Sequence, residues 1–99
     1  MIIYNVTLSV DPDIADEWMH WMRTSHIPDV MSTGQFLEYR ILRVVTGDHS
    51  ALTFAVQYTC ESHEVLENYQ TRYAPELQKA FFERYGDRAV AFRSVLEIL

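Results

Sequence analysis

The imidazole of His26 is the group in this sequence best placed to do chemistry. It closes the run WMHWMRTSHIP at 18–28, an amphipathic stretch that carries both tryptophans and ends on proline. An imidazole titrates near neutrality, so it can accept and return a proton at working pH. The same ring can instead bond the last carbonyls of a helix and do no more than secure its end. His20 lies about 120° from His26 around a helix of 3.6 residues per turn, so the two cannot share a metal. His49 falls in a turn and His63 at a helix start, and neither belongs to a zinc-ligand spacing. No metal site is expected.

The other reactive types are isolated. Cys60 is the one cysteine, with no CxxC partner and no histidine in register, and reads as a buried, idle thiol. Gly34, Gly47 and Gly86 stand apart, and neither GxGxxG nor GxxxxGK[ST] occurs, so no nucleotide cofactor is expected. Asp16, Glu64 and Glu67 read as solvated charge. Glu38 and Arg40 fall on one strand face and read as a structural ion pair, made across strands or with Arg93. Trp18 and Trp21 belong to the core, with Trp18 the candidate for a pocket wall.

These groups depend on the elements that hold them. Residues 2–10 alternate, which is the period of a half-buried strand. Asp11-Pro12 reads as an N-cap with proline at the first helical position, and Asp13, Asp16 and Glu17 suit the positive end of the helix dipole. Ile14, Trp18, Trp21, Met22 and Ser25 share one helical face. Pro28 should push Ile27 out of helical geometry and end or kink the helix, leaving a short turn that stops at Gly34.

Residues 36–45 and 51–59, joined by Thr46-Gly47-Asp48-His49-Ser50, read as an antiparallel hairpin. Ser62 caps a second helix, with Val65, Leu66, Tyr69 and Tyr73 inside; Ala74-Pro75 restarts it, and Gly86 ends it. Residues 88–98 form the last strand. The order strand, helix, strand, strand, helix, strand is the ferredoxin-like α+β plan, with a four-stranded antiparallel sheet and both helices on one face. A single domain over 1–99 is the expectation.

In each strand the face read as helix-covered is apolar: Tyr4, Val6 and Leu8; Leu37, Tyr39 and Ile41; Leu52, Phe54, Val56 and Tyr58; Val90, Phe92 and Leu96. The opposite face carries Asn5, Thr7, Gln57, Arg93 and other short or polar groups. Such a bare face suits either solvent or a second sheet, and the second case predicts a homodimer enclosing a shared interior. Ile3, Leu42 and Val44 would add apolar contact there. Asn5, Gln57 and Arg93 would line that interior as donors and acceptors.

Composition narrows the partners. Eight basic residues against 14 acidic ones give a net charge of −6, and the basic residues are scattered, which argues against a phosphate backbone as partner. No apolar window reaches the length of a spanning helix, and the opening Met1–Val6 lacks a basic n-region, so neither membrane nor secretion is expected. A lone cysteine fits a reducing, cytoplasmic setting.

Taken together, IIYNVTLSV, WMHWM followed by HIPDVMSTGQF, VQYT, the Ala74-Pro75 pair and YGDRAVAFRSVLEIL resemble a small bacterial family of unknown function within the dimeric α+β barrel group. More remotely, His26-Ile27-Pro28 after a tryptophan-bearing helix is similar to the His-x-Pro of EthD-like and stress-responsive barrel domains. That wider group includes cofactor-free monooxygenases, lactone isomerases, polyketide cyclases, haem-degrading enzymes and proteins without known activity. The resemblance implies the fold and singles out His26, but transfers no reaction.

The resulting expectation is a cytoplasmic homodimer that binds a small, partly apolar molecule, with acid-base chemistry at His26 and no cofactor. Arg93, Gln57 and Asn5 would orient a carbonyl or carboxylate, and Trp18, Tyr39 and Tyr58 would supply apolar wall. The alternative is a non-enzymatic structural or ligand-sensing homodimer whose interior is filled by side chains. A haem or metal held by His26 is a third reading, taken from relatives of the fold.

Overall fold

A computed structural model describes residues 1–47 and 51–99; His49 and most of the hairpin turn read above lie outside the described residues. The chain runs β1 (Ile2–Val10), a 3₁₀ turn (Pro12–Ile14), α1 (Ala15–Trp21), a π-helical segment (Met22–His26) and α2 (Ile27–Met31). Then come β2 (Glu38–Arg43), β3 (Leu52–Cys60), α3 (His63–Arg72), α4 (Ala74–Tyr85) and β4 (Ala89–Glu97). The four strands form one antiparallel sheet in the order β2-β3-β1-β4. This is the ferredoxin-like α+β arrangement, with both helical hairpin arms on one face.

The local signals explain the element ends. Asp11 accepts a hydrogen bond from the Asp13 N–H at 2.9 Å, and Ser62 accepts one from the Val65 N–H at 3.3 Å, so each side chain satisfies an amide that the first helical turn leaves open. Gly86 closes α4 at φ 57°, a left-handed conformation that a β-carbon would strain.

The first helix departs from expectation at proline. Ile27 stays helical at φ −63° and ψ −44°, and the chain runs on through Pro28 into α2. The reason lies one turn upstream, where the Ile27 N–H bonds to the Met22 carbonyl five residues back. That widened π turn carries one extra residue. It places Pro28 in the opening turn of α2, where its missing N–H has no partner to lose.

Register also corrects the last strand. Tyr4 pairs with Val95, Val6 with Arg93 and Leu8 with Ala91. The helix-covered face of β4 is therefore Ala89, Ala91, Arg93 and Val95, and Val90, Phe92 and Leu96 lie on the bare face. Phe92 is 67% exposed there. Alternation gives the period of a strand but not its parity, and here the larger apolar set faces away from the helices. Leu37 and Tyr39 are exposed as well, because β2 is an outer strand; Phe36 takes the expected core place, packed against Tyr4, Tyr58 and Tyr69.

The core sits between the sheet and the helices, around Trp18, Leu8, Val10, Ile27, Val30 and Val56. No described helix is long and apolar enough to cross a membrane.

Candidate functional site

His26 sits at the end of the π segment, half-buried between α1, α4 and the sheet. Its ring stacks on Trp21 at 5.1 Å between centroids and meets the edge of Phe81 at 5.5 Å. In an α-helix, residues five apart point in well-separated directions, and neighbours lie three or four apart. The π turn brings Trp21 and His26 one above the other, so the irregularity that accommodates Pro28 also orients the imidazole.

Trp21 is held in turn. The Arg84 guanidinium lies 5.2 Å from its ring, and Tyr85 packs edge-on at 5.4 Å. Glu17 accepts from Arg84 Nη2 at 2.6 Å and from the Tyr85 hydroxyl at 2.9 Å, tying α1 to α4.

Beside His26 lies a cavity of about 40 Å³ between helices and sheet. Its lining includes Tyr4, Tyr58 and Tyr69, the α4 side chains Leu77, Gln78 and Phe81, and Arg93 from β4. Burial drives the His26 pKa down to about 4; Asp29 pulls it up, and the Arg93 charge pushes it further down. The imidazole is therefore neutral at pH 7, and among the described residues it makes no hydrogen bond. A neutral ring with an open nitrogen accepts a hydrogen bond, and a pKa near 4 makes it a weaker base than a free imidazole.

The sequence-derived candidates divide between two sites. Arg93 joins His26 because register turns it to the helix face, not to the bare face where it was expected. It therefore cannot pair with Glu38 across the bare face, where Arg40 donates to Gln57 instead.

Asn5 and Gln57 stay on that bare face, across the sheet from His26. There a row of hydrogen bonds spans all four strands. Arg40 Nε donates to Gln57 Oε1 at 2.9 Å, Gln57 Nε2 to Asn5 Oδ1 at 3.2 Å, and Asn5 Nδ2 to Ser94 Oγ at 3.2 Å and Thr7 Oγ1 at 3.0 Å. A groove of about 320 Å³ runs beside this row over Ile3, Glu38, Thr59 and Ile98. It is the larger space, but it lies along an exposed sheet face, and no described histidine lines it.

Trp18 does not line the His26 cavity. It is fully buried against Phe54 at 5.1 Å, and its Nε1 has no partner. Trp21 is the tryptophan that meets the imidazole, and its five-residue separation from His26 hid this on a regular helical wheel. Tyr58 lines the cavity, whereas Tyr39 is exposed. Cys60 is buried, its thiol donates to the Ser62 carbonyl at 3.5 Å, and burial pushes its pKa up. No group of three or more potential ligands able to hold a metal occurs among the described residues.

The fold has close structural counterparts at low sequence identity. One is an ethyl tert-butyl ether (EthD) family protein from Bacillus halodurans, 16% identical, with a TM-score of 0.73 and full coverage of both chains. HapK from Hahella chejuensis is 10% identical with a TM-score of 0.72, covering 100% of this chain and 93% of its own. A dimeric ferredoxin-like protein from an uncultured marine organism is 13% identical with a TM-score of 0.67, covering 99% and 94%. These likenesses establish the fold alone. No curated protein matches the sequence. Residues 1–99 match one family throughout their length, and the chain belongs to that family, described as "Domain of unknown function (DUF4286)".

Proposed function

We propose that this protein acts as a homodimer whose helix–sheet cavity accepts a small, partly apolar molecule, with His26 as proton acceptor and Arg93 orienting a carbonyl or carboxylate oxygen. The observation that carries the proposal is the convergence of a neutral imidazole and a guanidinium, from different elements, on one aromatic-walled cavity. In such a pair the imidazole takes a proton from carbon next to a carbonyl. The C–H electron pair becomes an enolate, and the guanidinium faces the negative oxygen. Return of the proton from the imidazolium to another carbon conjugated with the enolate completes an isomerisation with no net loss of atoms.

Volume sets a condition on the ligand. An engineered apolar cavity that binds benzene measures about 150 Å³, several times the space beside His26. A polar end enters as the site stands, and an apolar body needs Leu77 and Phe81 of α4 to swing aside. The same small volume favours the second reading, a non-enzymatic structural or ligand-sensing homodimer with a filled interior.

A thermal-shift panel of small aromatic and aliphatic acids and ketones separates the two. A ligand present at tenfold its Kd adds about 1.4 kcal/mol and raises Tm by roughly 6 °C in a domain of this size. Protection should vanish in Arg93→Met and in Ala91→Leu, which fills the cavity. No protection by any compound, or equal protection of both variants, favours the filled module.

The homodimer belongs to the same proposal. Val90, Phe92 and Leu96 on β4 with Ile98 just past its end, and Leu42 on β2 with Val44 just past its end, flank the polar row, all of them exposed. An apolar rim of this extent on one sheet face is the signature of a partner surface. One of the structural counterparts is described as a dimeric ferredoxin-like protein, which supports this reading. Sedimentation should give twice the monomer mass, and Phe92→Asp with Leu96→Asp should give monomer; a monomeric parent protein contradicts the interface. A reducing, cytoplasmic setting completes the proposal, supported by a single cysteine kept as a buried thiol.

A further inference from the structure

Three tyrosines around the cavity are left without partners by the protein. Tyr4, Tyr58 and Tyr69 are 3%, 3% and 4% exposed, yet none of their hydroxyls makes a hydrogen bond among the described residues. A buried hydroxyl without a partner costs stability, so such groups are normally paired. Among the described residues, Trp18 Nε1 is the one fully enclosed side-chain polar atom lacking a partner. None of the three phenol oxygens is therefore fully enclosed, and all three side chains line the cavity beside His26.

The rings are mutual neighbours, with centroids of Tyr4 and Tyr58 at 6.4 Å and of Tyr4 and Tyr69 at 5.8 Å. Burial holds the Tyr58 and Tyr69 phenols well above their ordinary range, so both stay protonated and able to donate.

We infer that this cavity is an oxyanion site in which the hydroxyls of Tyr4, Tyr58 and Tyr69, with the Arg93 guanidinium, bind the negatively charged oxygen of a small organic monoanion such as an enolate, phenolate or carboxylate. The inference rests on the proposed ligand cavity and supplies its chemical class. Protonated phenols and a guanidinium offer donors and one positive charge, which a neutral hydrocarbon leaves unsatisfied and a negative oxygen pairs. The neutral imidazole adds an acceptor next to those donors, the arrangement required where a carbon acid is ionised and its oxyanion held. In an acidic protein of net charge −6, the cavity is a local exception that selects an anion.

4-Nitrophenol tests this directly, because only its anion is yellow. At a pH below its solution pKa, adding the protein should deepen the yellow colour, and the uncharged isostere 4-nitrotoluene should bind at least tenfold more weakly. Tyr58→Phe and Tyr69→Phe, which remove one oxygen each, should each weaken nitrophenolate binding about tenfold. Trp18→Phe serves as a core control with unchanged affinity, and circular dichroism confirms that each variant is folded. If 4-nitrotoluene binds as tightly as 4-nitrophenol and the Tyr→Phe variants match the parent, the cavity stands and the oxyanion inference falls. If neither probe binds, both fall together.

Discussion

Lowering the pH from 6.5 to 4 should cost this protein about 3 kcal/mol of folding stability through His26 alone, a drop in Tm of roughly 10–20 °C. In the unfolded chain the imidazole binds a proton once the pH falls below its ordinary value of 6.5, whereas in the folded chain burial delays protonation to about 4. Over that window the unfolded state holds more protons, so stability falls as pH falls and levels off once both states are protonated. Asp29 on the same helical run and Arg93 on β4 pull in opposite directions, and desolvation outweighs both.

Glu17, held below its usual range by Arg84 and Tyr85, loses its stabilising effect in the same direction at lower pH. The contribution of His26 is therefore read as a difference. His26→Leu should match the parent at pH 7 within about 1 kcal/mol and should lack the loss between pH 6.5 and 4. Urea titrations at several pH values measure it, and a parent and variant with parallel pH profiles would contradict the buried, neutral imidazole.

The two tryptophans should fail in opposite ways. Trp18→Ala should cost about 3–5 kcal/mol, because Trp18 is fully buried against Phe54 and its removal leaves a cavity in the core. The His26 pKa should stay near 4. Trp21→Ala should cost less, since Trp21 is half-buried and lies at the rim of the core. It strips the stacked cover from the imidazole, so water reaches the ring and its pKa should climb toward 6.5. Denaturant unfolding gives the first quantity and NMR of the imidazole the second. A Trp18→Ala variant that moves the His26 pKa, with a Trp21→Ala variant that does not, would show that the cavity is built differently.

Much of this architecture is legible in residue order. Strict alternation marks β1 from Ile2 to Val10, Asp11-Pro12 and Ser62 mark helix starts, and Gly86 marks the end of α4. Each is a local signal, set by a side chain acting within a turn of its own position. His26 is legible for the same reason, as a polar ring on the edge of an apolar helical face.

What was not legible depends on partners distant in sequence. Val90, Phe92 and Leu96 look like core residues because they are the larger apolar set in their strand. Only pairing with β1 turns them to the bare face and sends Arg93 to the helices. The small Ala89 and Ala91 were the available sign, since a strand lying beneath helices needs room for them. Pro28 reads as a helix end because the sequence does not show that a π turn has already shifted the register. That same turn decides that Trp21, five residues away, is the ring against His26, and Trp18 is not. Asn5 and Gln57 are polar neighbours as expected, but the thickness of the sheet separates them from the imidazole.

His26 is, on this reading, a half-buried neutral acceptor in a cavity that the exposed Arg93 also lines. The most direct measurement is an NMR titration of the ¹³C- or ¹⁵N-labelled His26 imidazole, assigned by comparison with His26→Gln and followed from pH 8 downward. The predicted result is a midpoint near 4, moving further down in the absence of any ligand when Asp29 is replaced by asparagine and up when Arg93 is replaced by methionine. A midpoint near 6.5 that neither replacement moves would place His26 in open solvent, away from Arg93, and would contradict the cavity on which the proposed chemistry depends.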